Sequence, residues 1–231
     1  MVRGATRSVT RARQDYVKAL YALGGDRVNV TTSAIAVRLQ VSAPSATNML
    51  RRLAADGLVL LAPGIGARLS AAGRRTALEM VRRHRILEAF LVRVLGLDWA
   101  VVHEDAEVLE HHVSPRVVEA IDRFMGHPAE DPHGHPIPDR RGRLPRRALV
   151  PLPSLAAGAR ATVRELRDVD GRRLPRWKDA GLVPGAPIRV REVRPLDDVF
   201  EIEVAGRRLS IGSEGLAGVM VELRSGGPRV R

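Results

Sequence analysis

His103, Glu107, Glu110 and His111 stand at offsets 0, 4, 7 and 8, intervals that bring four side chains onto one face of a helix. His84 and Glu88 are also four apart and share a face of an earlier helix. Imidazoles and carboxylates on neighbouring helices are the means by which a helical bundle holds a metal ion. Oxygen and imidazole donors suit Mn(II) and Fe(II), and the lack of cysteine argues against a soft-metal site. All seven histidines fall between His84 and His135. The alternative for a single Glu–His pair is a solvated face or a helix-stabilising contact; four ligand types on one face, with a second pair nearby, weigh against it. His127, His133 and His135 lie in a Pro- and Arg-rich stretch and are read as a solvated linker, not as ligands.

These residues need helices to position them, and the sequence supplies three. Ser70 caps a long helix of about Ala71 to Leu95, a second runs from about Asp98 to His111, and Ser114-Pro115 opens a third that ends near Met125. The long helix carries Leu78, Val81, Ile86, Leu87, Phe90 and Val94, more apolar surface than three helices cover by themselves, which predicts a homodimer.

Upstream, Asp15 to Leu23 reads as a helix stopped by Gly24-Gly25. Thr31 or Thr32 caps a short helix that leads to a turn at Val41-Ser42, and Ser42 or Ala43 opens a second with Pro44 in its first turn. Leu58–Leu61, the Pro63-Gly64-Ile65-Gly66 turn and Ala67–Leu69 read as a two-stranded wing. Two short helices, a tight turn and a wing make a winged helix-turn-helix, whose second helix enters the major groove. Thr32, Ser42, Pro44, Ser45, Thr47 and Asn48 are placed against bases and phosphates, and Arg51 and Arg52 against the DNA backbone. An ordinary core hairpin would want apolar residues where Ser42, Ser45 and Thr47 stand.

The charge pattern agrees. Lys and Arg number 12 against 3 acids over 1–75, 7 against 12 over 76–140, and 19 against 11 over 141–231. The basic first third points to a polyanion. The total is +12 at pH 7, with 36 Arg and 2 Lys among the cations. From about Ala148, alternating apolar residues separated by Gly and Pro turns predict five short strands and a small SH3-like barrel. The expected fold is therefore mainly α with a small β domain. It comprises a winged helix-turn-helix (1–75), a helical metal-binding and dimerisation domain (76–140), a linker (141–147) and the barrel (148–231). Aromatics are 3% of the chain, so Leu, Val, Ala and Ile build its cores. No apolar run long enough to span a membrane and no signal-like leader stand in the sequence, which predicts a cytoplasmic protein without a membrane partner.

The string HRILEAFLVRVLGLDWAVVHEDAEVLEHH, followed by a short helix and DPHGHPIP, resembles the diphtheria-toxin-repressor family of metal-dependent transcriptional repressors. The resemblance extends back to Asp15-Tyr16 and, more weakly, forward into the barrel. It implies a primary regulatory metal site on Asp15, Glu107, Glu110 and His111, and an ancillary site on His84, Glu88 and His103 with Asp170 from the barrel. Iron-responsive members carry Met and Cys where Asp15 and Glu107 stand here, so the resemblance points to Mn2+, with Fe2+ as the alternative and Zn2+ or Co2+ as substitutes in vitro. Two positions depart from the family pattern. Lys18 occupies the place of a second carboxylate in compact manganese regulators, and Arg173, at the other barrel ligand position, cannot ligate.

The implied function is repression of metal-uptake genes by a dimer, or two dimers, on a double-stranded operator. A winged-helix regulator answering an organic effector is the competing reading; its DNA binding would ignore a chelator. An architectural DNA binder that needs no metal would instead show low sequence specificity and an affinity dominated by salt. An enzyme is not expected: the sequence holds no HExxH, GxSxG or Walker motif and no positioned base.

Overall fold

The computed structural model describes residues 11–168 and 172–224. The chain divides into two compact units, Met1–Arg83 with Pro138–Arg143, and His84–Ile137 with Leu144–Arg231.

In the first unit, α1 (Arg11–Ala22) buries Tyr16, Val17, Ala19 and Leu20. It begins four residues earlier than the periodicity predicts. The N-cap of α2 (Thr32–Leu39) is Thr31, whose hydroxyl accepts the Ala34 N–H at 3.2 Å. Gln40 closes α2 in the left-handed region at φ 53°, which forms the tight turn. Ser42 caps α3 (Ala43–Ala55) by accepting the Ser45 N–H, and Pro44 sits in the first turn, where its missing N–H costs nothing. Leu20, Ile35, Leu50 and Leu53 are fully buried where these helices meet the wing. Truncating any one of them to Ala would cost about 2–5 kcal/mol.

The wing pairs β1 (Val59–Ala62) with β2 (Gly66–Leu69) antiparallel, Val59 opposite Leu69. Val30 bridges to Ala67, a pairing that requires glycine at 66, because a Cβ there would lie 2.2 Å from the Val30 carbonyl oxygen. The 23-residue α4 (Ala71–Arg93) contributes Ala77 to this core and carries His84 and Glu88 in its second half.

The second unit contains α5 (His103–His112) and α6 (Pro115–Phe124), shorter than predicted. Residues 99–102 are turns rather than the opening of α5, held by Asp98, which accepts the Ala100 N–H at 3.0 Å. Leu87, Leu91, Val102 and Ala106 form the contact between α4 and α5. The barrel is a six-stranded antiparallel sheet of β3 (Val150–Pro151), β4 (Arg160–Leu166), β5 (Pro187–Arg194), β6 (Val199–Val204), β7 (Arg207–Gly212) and β8 (Val219–Leu223), in the order β3-β8-β4-β5-β6-β7. The short α7 (Leu174–Asp179) and α8 (Ser213–Leu216) complete it. Its core includes Leu152, Val163, Trp177 and Ile202, with Trp99 and Ala100 from the helical part packed against them. No helix among the described residues is long and apolar enough to cross a membrane.

Candidate metal centre

Glu88 is the middle of the cluster. It is 2% exposed on α4, and three histidines from three segments face it. His84 Nε2 lies 2.9 Å from Glu88 Oε1, His103 Nδ1 lies 3.0 Å from the same oxygen, and the two nitrogens are 3.0 Å apart. Three ligand-type atoms thus form a nearly equilateral triangle. An octahedral ion with bonds of about 2.1–2.2 Å has adjacent ligand atoms about 3 Å apart, so this donor set fits a small divalent cation.

The other nitrogen of His84 connects this triangle to the second predicted face. Nδ1 lies 2.7 Å from Oε2 of Glu110, a residue of α5 that is fully buried. His84, Glu107 and Glu110 each offer an atom within 4.8 Å of the others. The His84-containing and Glu110-containing sets that the sequence kept apart therefore share one imidazole. His111 Nε2 is 3.5 Å from Glu110 Oε1, and His103 Nε2 is 3.6 Å from Glu107 Oε1. Asp15 stands half-buried on α1 of the first unit. Asp170 lies outside the described residues. Arg173 donates to the Ala217 carbonyl, and its backbone N–H donates to Asp168.

The expectation for His133 and His135 is corrected. His133 is 3% exposed, in a loop that is built rather than solvated. Asp131 Oδ1 accepts the N–H groups of His133 and His135 at 2.8 and 2.9 Å, and its Oδ2 faces His135 Nδ1 at 3.0 Å. Gly134, at φ +84°, lets the loop lie on β4, where a Cβ would come 1.9 Å from the Arg164 carbonyl oxygen. The Leu166 N–H then donates to the His133 carbonyl. His133 Nε2–H donates to the Trp99 carbonyl at 2.8 Å, which turns Nδ1 toward Glu88 at 3.8 Å. His127 is also not a free linker residue, since its Nδ1 pairs with buried Asp122 at 2.7 Å.

Asp131, His133 and His135 form a third group of ligand type, but Arg85 Nε stands 3.5 Å from Asp131 Oδ2 and competes with any cation there. What marks this loop in the sequence is Asp-x-His-Gly-His, two ligand types about a glycine that can take positive φ.

The electrostatics of the metal-free cluster follow from this packing. Burial alone would push the Glu88 carboxyl up. The charge of His84 and the hydrogen bonds from His103, His133 and His84 hold it well below the usual carboxylate range. Burial would likewise lower His133, but its hydrogen bond and attraction to Glu88, with Asp131 nearby, raise it above the ordinary imidazole value. The buried carboxylate is thus held by the imidazoles packed around it.

On the first unit, Ser42, Pro44, Ser45, Asn48, Arg51 and Arg52 are exposed along α3 and its cap, while Thr32 and Thr47 are half-buried. Thr47 donates to the Ala43 carbonyl at 2.9 Å, and Ser42 and Ser45 share a 2.8 Å hydroxyl contact. The small hydroxyls of this helix are therefore partly spent on holding it.

Comparison with known proteins agrees with this arrangement. Residues 8–67 match the family described as "Iron dependent repressor, N-terminal DNA binding domain", residues 70–139 "Iron dependent repressor, metal binding and dimerisation domain", and residues 150–223 "FeoA domain". The iron-dependent repressor IdeR of Mycobacterium leprae (strain TN) is 32% identical over 221 residues, covering 90% of this chain and 95% of that protein.

The chain belongs to the DtxR/IdeR family of metal-dependent repressors.

It is a DNA-binding transcriptional repressor, not an enzyme, with a FeoA/SH3-like β-sheet domain after the helical domain. Among solved structures, a "Manganese-dependent transcriptional repressor complex with manganese" is similar at 36% identity and a TM-score of 0.85, covering 92% of this chain and 100% of that one. ScaR with bound Zn2+ is similar at 30% identity and a TM-score of 0.78, covering 91% and 98%. The DNA-binding and dimerisation domains imply operator DNA and a homodimer as partners, and a divalent metal as effector.

Proposed function

We propose that this chain is a manganese-responsive repressor of metal-uptake genes, acting as a homodimer on a two-fold operator. The observation that carries the metal is the triangle of His84 Nε2, His103 Nδ1 and Glu88 Oε1, with edges of 2.9–3.0 Å and no sulfur donor. Asp15, Glu107, Glu110 and His111 are the primary ligands in this reading, and His84, Glu88 and His103, with Asp170, the ancillary ones. The ion, when bound, supplies positive charge that offsets the crowded carboxylates.

The chain's own residues do the rest. Glu107 and Glu110, one partly exposed and one buried, repel any further carboxylate brought to them. Asp15, on the opening helix of the DNA-binding unit, joins them only when that repulsion is offset. The spacing of the two reading heads is then fixed to match half-sites one turn, roughly 34–36 Å, apart or a multiple of it. A preference of a few kcal/mol for this state suffices to switch occupancy.

The dimer reading is supported by an open apolar groove of about 550 Å³ along α4 and α6, lined in part by Phe90, Val117, Ile121 and Phe124, the last 73% exposed. Fe(II) is the second reading, favoured by the iron-dependent relatives. Zn(II) would bind such donors tightly, so selectivity must come from geometry and metal supply.

The test is a gel shift on candidate operator fragments, titrating Mn(II), Fe(II) and Zn(II) against a chelated control. Retardation should require metal, with Mn(II) effective at the lowest free concentration. Retardation unaffected by chelator would overturn the reading, and Fe(II) acting below Mn(II) would replace the metal assignment.

A further inference from the structure

After the helical metal region the chain turns back: Pro138–Arg143 packs with the DNA-binding unit, not with the unit that precedes it in sequence. The six residues Pro-Asp-Arg-Arg-Gly-Arg fold into a closed turn around Asp139. Its Oδ1 accepts the N–H groups of Arg141 and Arg143, both at 2.8 Å. Its own N–H donates to the Arg143 carbonyl at 3.0 Å, and the Gly142 N–H donates to the Asp139 carbonyl at 2.9 Å. The turn is seated on α4. Arg82 Nη1 donates to the Pro138 carbonyl at 2.9 Å, and Gly142 lies so close that a Cβ would sit 3.3 Å from Leu78 Cδ1. Arg75 stands three residues before Leu78 on the same face of α4, exposed.

The charge of this turn is out of proportion to its length. Asp139 spends one oxygen on backbone N–H groups and the other on Arg143 Nε at 3.1 Å, and Arg140, Arg141 and Arg143 are exposed. Over the segments of the first unit, Lys and Arg number 17 against 5 acids; over those of the second, 21 against 21. The whole +12 of the chain is thus carried by the unit that holds α3, and the returning turn adds +2 of it. Exposed arginines presented by an ordered turn on a unit of strong net positive charge add to the field that attracts a polyanion.

We propose that this turn is a second DNA contact, in which Arg140 and Arg141 engage backbone phosphates outside the bases read by α3. It adds affinity without sequence preference. The inference rests on the repressor reading, since it presumes that α3 binds duplex DNA.

Because the contact is sequence-independent, a random-sequence duplex of about 30 base pairs is a sufficient probe, bound by the full-length, manganese-loaded protein over a series of salt concentrations. R140A/R141A should weaken binding and make the slope of log K against log salt shallower by about 0.9 for each phosphate that is no longer neutralised. R140K/R141K should restore most of the slope. A selected operator duplex should lose affinity by the same factor as the random one. Metal binding and thermal unfolding should match wild type in both variants, which separates weakened phosphate binding from a damaged fold. An unchanged slope in R140A/R141A, or a loss confined to the operator, overturns the proposal while leaving the repressor reading standing. A wild-type protein that binds neither duplex overturns both.

Discussion

Glu88 and Glu107 face the same histidine, His103, through its two different nitrogens at 3.0 and 3.6 Å, yet they live in opposite environments. Glu88 is sealed, with imidazoles from α4, α5 and the 131–135 loop closed around it. The Glu107 side chain is 40% exposed, and its neighbour Glu110 is buried beside His84 and His111. The three described donors of the first region, His84, Glu88 and His103, lie within one unit. The second leaves the Glu107 carboxylate partly at the surface. The difference teaches that burial, not distance, separates the two carboxylates: one is fixed among the imidazoles of a single unit, and the other keeps a face toward solvent.

The comparison breaks first on stability. Glu88→Ala leaves buried imidazoles without their anion and should cost the metal-free protein about 3–5 kcal/mol in urea unfolding, whereas Glu107→Ala should change it by less than about 0.5 kcal/mol. Equal losses would mean that the two carboxylates do not differ in the way their burial implies.

Next comes Asp15→Ala, which should reduce metal-dependent operator binding about 100-fold or more, read by gel shift, with dimer mass by light scattering unchanged. A variant that still represses normally with metal would remove Asp15 from the proposed primary ligands.

Gly134→Ala should follow, destabilising the protein by about 1–3 kcal/mol, because its positive φ and the Arg164 carbonyl both exclude a side chain. Its metal-free His133 imidazole resonance should also shift toward the solvated value as the loop lifts from β4. An unshifted resonance would show that the loop does not need this seat.

The smallest effect is with pH. The raised His133 contributes stability that is fully present below its unfolded pKa of about 6.5 and is lost as pH rises through its higher folded value. The lowered Glu88 contributes stability that is present above about 4.3 and is lost as pH falls through its folded value. The melting temperature of the metal-free protein should therefore decline as pH rises above about 6.5. His133→Gln should flatten that decline, and so should saturating Mn(II), whose charge beside Glu88 would disfavour a protonated His133.

Much of this was legible because it is local. Ser42 and Ser114 declare helix starts through hydroxyls that accept an N–H three residues on, and the 0, 4, 7, 8 spacing puts His103 and His111 on one face whatever surrounds the helix. The same reading misplaced His133, because Pro- and Arg-rich composition predicts solvent exposure for 127–147. What overrides it is non-local: the Trp99 carbonyl and the Leu166 N–H hold the loop. The contact between His84 and Glu110 escaped for the same reason. A spacing of 26 residues carries no helical period, so only the approach of α4 to α5 brings Nδ1 within 2.7 Å.

The sequence by itself determined the order of the parts, the helices with their caps and the donor types, because backbone propensity, helical period and side-chain chemistry are written residue by residue. Only the tertiary structure decided which donors meet, that one imidazole serves two carboxylates, and that an arginine-bearing turn returns to the DNA-binding unit. Those outcomes depend on burying apolar surface between segments distant along the chain, and no window of the sequence contains both sides of such a contact.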